Sequence, residues 1–512
     1  AMLADRYFAS GADAAQRERV ARLALTTAEQ ARARALVDFQ NLDISAPGVP
    51  PELVVRRRSI YRELAARRFR LAVILDRGGT QDARARIIRA DIATLRQQLD
   101  EIDARIGSAS DSASARGART GDGMAFDLRS LPSDVAVVEY WLGDENAYAW
   151  QATNTGLIMV RLSASSTVTG LARSFHTALR GFGSVPAAQR LKLGEQLYDL
   201  VLKPLGPGVS AKRKLVFALD GALHYVPFAT LRVQEAGGTR FLVESHDISV
   251  TPSIGMLLGS QGARRAQAPS RQMLLVADPV YELDDSRLAS VARGAGRTQK
   301  ARSTWPLTVL RGADDDGRLP RLPGTAQEAA TIAALLPAGS VDRLEGFGAT
   351  RDQFLNAGLQ RYRFIHIASH AVNDADIPQA SALILSTLNQ RSQQIDGRVL
   401  AADFVNLQLN AETVVLSACD TALGKSVAGE GLIGLQYVVL ARGAGSVLSS
   451  LWPVADQATA QLMGRFYASR LRTNSSVSAA LSEAMRAMLT GSFKDPGLWG
   501  AFTLTVSRET GA

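Results

Sequence analysis

Two stretches decide the fold, Phe364-Ile365-His366-Ile367-Ala368-Ser369-His370 and Val414-Val415-Leu416-Ser417-Ala418-Cys419. Each is a short apolar run of buried-strand length, closed by a residue that can do chemistry. Cys419 is the single cysteine among 512 residues, and His370 lies 49 positions before it. In open α/β sheets the reactive edge lies beyond the strand C-termini. A thiol and an imidazole at two such tips are therefore placed for nucleophilic catalysis, the imidazole supplying the base that turns a weakly ionised thiol into a thiolate.

Downstream and upstream of these runs the texture is β-α-β. A strand is predicted at 273–277, ending in Asp278-Pro279, and then comes a polar excursion over 281–321. That excursion carries Arg287, Arg293, Arg297, Lys300, Arg302 and Arg311; loops this long are usually functional or disordered. Thr325 and Glu328 have the spacing of a capping box opening a helix to about 336, and Thr350 caps the helix before the His370 strand. Further strands are predicted at 383–385, 413–416, 445–451 and 501–506, with helices at 431–441, 456–470 and 476–489. Such alternation implies a mostly parallel sheet covered by helices.

Nearer the N-terminus, residues 135–162 alternate apolar and polar with turn signals at Gly143-Asp144 and Asn154-Thr155-Gly156, a β-meander. A helical region to about 203 and strands near 214–219 and 247–250 follow. Residues 1–106 read as charged and helical, in two segments flanking Gly78-Gly79. Ile88, Ile92, Leu95, Leu99, Ile102 and Ile106 form a heptad seam that wants a partner helix. That partner is either the neighbouring segment, making an intramolecular hairpin, or another chain, making an oligomerising or docking stalk. Residues 107–124 are Gly/Ser/Ala-rich and aperiodic, a linker. The expected division is a helical region at 1–106, a linker at 107–130, an upstream lobe at 131–270 and a lobe carrying His370 and Cys419 at 271–512.

Formal charge is +9, from 58 basic and 49 acidic residues, too modest and too spread to make nucleic acid the expected partner. One cysteine forms no internal disulfide, which fits a reducing compartment. No apolar stretch reaches the roughly 20 residues that span a bilayer, the longest candidate, 431–452, being broken by Arg442. The expected location is cytoplasmic, with no membrane association; Ala precedes Met at the start, so a targeting signal could have been removed. No His/Cys/Asp cluster completes a metal site, and no cofactor is expected. His366, four residues before His370, should share its strand face and is read as a structural neighbour.

The order and spacing of His370 and Cys419 match caspase-type enzymes, in which the histidine precedes the cysteine by about 50 residues. Residues 131–508 resemble CHAT domains, a bacterial group of caspase- and separase-like peptidases often attached to tetratricopeptide repeats. The resemblance rests on FIHIASHA (364–371), SALILS (381–386), TVVLSACDTALG (413–424), GEGLIGL (429–435), ARGAGSVLSSLWPVAD (441–456) and WGAFTLTV (499–506). DGALHYVPF (220–228), VTPS (250–253) and LPGTAQEA (322–329) extend it upstream. It implies a caspase-like sheet with His370 as general base and Cys419 as nucleophile. The oxyanion hole would come from the backbone N–H groups of Ala371 and Cys419. Family members commonly carry glycine where this chain has Ala371, whose methyl limits backbone geometry. His224 has no cysteine beside it, so the upstream lobe reads as an inactive companion.

Asp420, Glu430 and Trp452 are the candidates for substrate selection. The two acids either serve turns and helix ends or select Lys or Arg at P1; Trp452-Pro453 either packs the cleft wall or touches substrate. A basic P1 would make the Arg-studded 281–321 loop a candidate for self-cleavage. The leading functional expectation is a regulated cysteine endopeptidase acting on a protein substrate, with an activating protein received by the N-terminal helices. The alternatives are a catalytically silent CHAT scaffold, for which Ala371 leaves room, and a basic-surface adaptor.

Overall fold

Apolar runs of five to eight residues become strands β1 (Val135–Leu142), β2 (Ala147–Thr153), β3 (Gly156–Arg161), β4 (Lys214–Ala218), β5 (Asp247–Thr251), β6 (Arg271–Ala277), β7 (Val341–Glu345), β8 (Tyr362–Ala368), β9 (Thr413–Ser417), β10 (Ser446–Ser450) and β11 (Phe502–Val506). In the computed structural model these form one sheet in the order β3-β2-β1-β4-β5-β11-β10-β9-β8-β6-β7. The structure describes residues 7–8, 13–40, 50–76, 83–114, 127–181, 183–235, 238–259, 268–288, 319–372, 381–404, 407–418, 425–427, 431–473 and 475–507. Only β1–β2, β2–β3 and β10–β11 are antiparallel; the other contacts are parallel. The C-terminal strand β11 lies between β5 and β10, with Thr505 opposite Val250. It makes the seam through which the upstream strands β1–β5 and the downstream strands β6–β10 share one sheet.

Helices cover both faces. Ser165–Arg180 (as α4) and Ala187–Val201 (as α5) serve the upstream half; Pro323–Ala333 (as α6), Leu435–Ala441 (as α7), Asp456–Arg472 (as α8) and Val477–Leu489 (as α9) serve the downstream half. Phe364 of β8, Val415 of β9 and Leu448 of β10 point into a core with Leu462, Phe466 and Tyr467 of α8. Their neighbours Ile365, Ile367, Val414, Leu416 and Val447 enter the opposite core with Leu435, Val438 and Val439 of α7. The period of two that puts alternate side chains on opposite faces thus buries both faces, as parallel strands require.

The N-terminal region is helical throughout its described length, in α1 (Ala14–Gln40), α2 (Pro51–Asp76) and α3 (Ala83–Ser114). The heptad seam is used within the chain. Ile92, Leu95, Ile102 and Ile106 bury against Leu53, Ile60, Tyr61 and Leu64 of α2, with Ile88 and Leu99 half-buried beside them. Helix α3 continues to Ser114, eight residues into the expected linker, because its Ala/Ser tail holds no proline to stop it. Gly78-Gly79 and residues 115–126 lie outside the described residues. The helix expected over 431–441 begins only at Leu435: Gly434 is extended (φ −158°), and Gly431–Ile433 instead pairs with Lys425–Val427 as a β-hairpin.

Candidate active site

Strands β8 and β9 are parallel neighbours, in register from Phe364 opposite Thr413 to Ala368 opposite Ser417. His370 and Cys419 each follow two residues beyond that last pair, on strands about 5 Å apart. Cys419 lies outside the described residues, as do Asp420 and Glu430.

At Ser369 the chain leaves the main sheet. His370–Val372 pairs with Ala382–Ile384, and that strand pairs with Arg398–Leu400. This bend separates the two histidines expected to share a face. His366 faces α6 and α8: its Nδ1 is 3.2 Å from Tyr467 Oη, and its Nε2 is 3.1 Å from Glu328 Oε1. His370 faces the other way round the tip. Its Nε2 is 2.8 Å from the Pro320 carbonyl, its backbone N–H donates to Tyr281 Oη at 3.3 Å, and its ring centroid is 5.0 Å from that of Tyr281. A carbonyl only accepts, so Nε2 carries the proton and Nδ1 keeps a lone pair. His370 is only 3% exposed. Burial lowers its pKa, and the Pro320 carbonyl acts in the opposite sense by stabilising the protonated ring. The imidazole is thus held neutral and basic at neutral pH.

Pro320 is delivered by a staple at the base of the long excursion. Asp278, at the end of β6, has a positive φ of 48°, a conformation asparagine and aspartate tolerate better than most residues. Its carboxylate takes Arg321 in a two-pronged pair at 2.8 and 2.7 Å and Arg287 at 2.9 Å. The excursion therefore begins and ends on one carboxylate, one residue away from the carbonyl that holds His370. Residues 289–318, with Arg293, Arg297, Lys300, Arg302 and Arg311, lie outside the described residues. Tyr281 completes the support by donating to the Ile384 carbonyl at 3.0 Å. A carbonyl and a tyrosine two residues after a proline carry no motif, which is why sequence reading passed over both.

Beside the two tips is a cavity of about 50 Å³ whose lining includes Leu322, Glu328, Ser369, Ser417, Ala418 and Ser450. Glu328 is not half of a capping box. Pro323 and Gly324 start helix α6, with Leu322 at its cap, so Thr325 is already inside it. Thr325 Oγ1 accepts from Asp278 N at 2.9 Å. Glu328, at 2% exposure, turns inward and accepts from Ser417 Oγ at 3.1 Å. It thereby ties the cysteine strand to His366 of the histidine strand.

Of the remaining sequence candidates, Ala371 lies in a strand with a negative φ, so its methyl is unstrained. Trp452 does not face the cleft. It is 1% exposed, its indole N–H donates to the Gly497 carbonyl at 2.9 Å, and its ring meets His176 edge-on at 5.5 Å; it is a core residue. Among the described residues, no group of three or more His, Cys, Asp or Glu could hold a metal ion, and no helix is long and apolar enough to cross a membrane.

The sheet is mostly parallel and covered by helices, with a buried histidine just past the tip of β8 and a cysteine that follows β9 in the sequence. A CHAT domain is recognised over residues 191–507, and the chain belongs to the CHAT-domain family. Tetratricopeptide repeat protein 28 of Mus musculus and of Homo sapiens are 27% and 28% identical over 345 residues, covering 60% of this chain and 13% of theirs. The chain thus spans a small part of the curated relatives it matches. Among solved structures, the Saccharomyces cerevisiae separase–securin complex is similar with a TM-score of 0.44 at 12% identity, over 80% of this chain and 32% of that one. The Arg-specific cysteine proteinase gingipain R is similar with a TM-score of 0.36 at 10% identity, over 63% and 68% respectively.

Proposed function

We propose that the chain is a cysteine endopeptidase, with Cys419 as nucleophile and His370 as its base. What supports this is the register of β8 and β9, whose last pair, Ala368 and Ser417, comes two residues before His370 and Cys419 in the sequence, together with the Pro320 contact that leaves His370 Nδ1 free to accept a proton. Nδ1 takes the thiol proton, the thiolate attacks the scissile carbonyl, and the imidazolium returns the proton to the leaving amine. Water then hydrolyses the acyl-enzyme with His370 as base. The N–H groups of Ala371 and Cys419 are the proposed oxyanion donors. The cavity beside the tips is the proposed site for the P1 side chain. Among the described residues its lining holds the acids Glu328 and Asp456 and no lysine or arginine, which supports a basic P1.

An activating protein acting through the N-terminal helices fits the packing. The α2–α3 hairpin shares a core with Tyr281, Leu319, Ala382 and Ile384, the residues that flank and pair with His370. Arg62 of α2 also reaches Asp403 at 3.3 Å.

The test is covalent labelling of the intact chain by peptidyl acyloxymethyl ketones bearing Arg, Lys, Leu or Asp at P1, with Cys419→Ser as control. Labelling confined to the wild type and fastest for Arg or Lys is expected. Absence of labelling by every probe, with or without candidate activators, would favour the silent scaffold.

A further inference from the structure

The upstream half-sheet has its own C-terminal edge, where β1, β4 and β5 end, and an arginine fills it. Arg32 of helix α1 is 2% exposed. Its Nη1 donates to the Leu219 carbonyl at 2.8 Å and reaches that of Pro252 at 3.5 Å. Its Nη2 donates to the Tyr140 carbonyl, and its Nε is 3.4 Å from Glu139 Oε1. The carbonyls just past the ends of β4 and β5, and that of Tyr140 near the end of β1, thus meet the same guanidinium. Glu29, one turn earlier on α1, accepts from Gly255 N at 3.2 Å, and Glu139 accepts from Ile254 N at 3.3 Å. Ala21, Leu25 and Ala28 bury the same helix face against the sheet.

This edge touches the segment that follows Cys419. The hairpin of Lys425–Val427 and Gly431–Ile433 packs on the turn Gly221–Tyr225, and its second strand also packs on α1. The charge of Arg32 is felt at His224 of that turn and at Tyr437, in the helix entered from the hairpin.

We propose that this edge is a guanidinium-binding pocket, and that its occupant, Arg32, is a positioning residue for the downstream site. Seated there, it fixes the surface on which the hairpin of Lys425–Val427 and Gly431–Ile433 rests. The inference takes the peptidase reading as its functional end-point, but its structural half stands without it. A buried fork of donors met by three carbonyls, with the carboxyl group of Glu139 beside it, is shape-specific. Lysine offers a single point of charge and cannot reproduce it, whereas a free guanidinium can.

The experiment uses the full chain with Arg32→Ala and Arg32→Lys, read three ways: thermal unfolding, hydrogen exchange at residues 425–441, and the rate of Cys419 labelling. Both variants should stay folded, exchange faster by at least tenfold in that segment, and label at least tenfold more slowly. Adding methylguanidine at tens of millimolar to Arg32→Ala should restore much of the protection and of the rate, and should do nothing to wild type. Unchanged exchange at 425–441 would overturn the proposal, as would loss of exchange protection that methylguanidine does not restore. Unfolding of both variants would make Arg32 a plain determinant of the fold and would also overturn it. If the wild type fails to label at all, the peptidase reading fails while the exchange and rescue data still decide this one.

Discussion

One sheet carries two reactive-type edges, and the protein treats them in opposite ways. At the tips of β8 and β9 a histidine sits against a carbonyl and a cavity opens beside it. At the tips of β1, β4 and β5 a histidine is also buried, but an arginine from α1 fills the edge. The histidines differ accordingly. His370 has the Pro320 carbonyl to offset its burial, whereas among the described residues His224 Nε2 has no hydrogen-bond partner. Burial, seconded by the charge of Arg32, lowers the His224 pKa to about 3. The two edges therefore differ in what holds each buried imidazole: a backbone carbonyl at His370, and the neighbouring charge of Arg32 at His224.

The largest effect tests that contrast directly. His370→Ala should slow Cys419 labelling by about 10² to 10⁴, the range of a lost general base. In the wild type the acid limb of the labelling rate should fall below pH 6.5, because the base works neutral and burial lowers its pKa. Undiminished labelling in His370→Ala would make both edges equally inert.

The second effect belongs to the filled edge. His224 is held neutral, so protons favour the unfolded chain once the pH drops below about 6.5, and stability goes on falling until about pH 3. Between pH 7 and pH 4 the loss attributable to this residue is roughly 3 kcal/mol. Urea unfolding of the wild type and His224→Gln at both pH values checks it, and parallel pH slopes for the two proteins would refute it.

Tyr281→Phe comes next. It removes the hydroxyl that joins the His370 N–H to the Ile384 carbonyl, a loss of about 0.5–1.5 kcal/mol per hydrogen bond. Labelling should slow by a smaller factor than in His370→Ala, since the Pro320 carbonyl still orients the ring. Equal losses in the two variants would place the tyrosine, rather than the carbonyl, in control of the imidazole.

What the sequence made legible follows from how local each signal is. Apolar runs closed by His370 and Cys419 declare buried strands and their tips, because period and length are properties of a few adjacent residues. The heptad of α3 declared a partner helix, though not that the partner is α2. The seam at β11 depends on Thr505 meeting Val250 across the whole chain, and no local pattern encodes that. Glu328 was misread because its spacing from Thr325 fits a cap, and only the position of Leu322 as the helix start turns it inward. Arg32 was invisible for a similar reason: an arginine on a charged helix reads as solvated until three strand ends converge on it.

The smallest predicted effect asks what kind of electrostatics fills the upstream edge. Glu139 is fully buried and pressed against Glu29, so desolvation first and the neighbouring carboxyl second raise its pKa well above the usual range, with Arg32 pulling the other way. A raised folded-state pKa adds stability that is fully present in acid, below the unfolded value, and is lost as the pH rises through the folded one. Glutamine has the shape of the protonated acid and never ionises. Glu139→Gln should therefore match the wild type in mild acid to within about 1 kcal/mol, then gain on it as the pH is raised, in urea unfolding followed from pH 5 to pH 9. A loss of several kcal/mol at every pH would instead mean that Glu139 is the ionised partner of Arg32, since removing one member of a buried ion pair costs about 3–5 kcal/mol. The upstream edge would then be held by charge, and the neutral-histidine edge downstream would differ from it in kind as well as in occupancy.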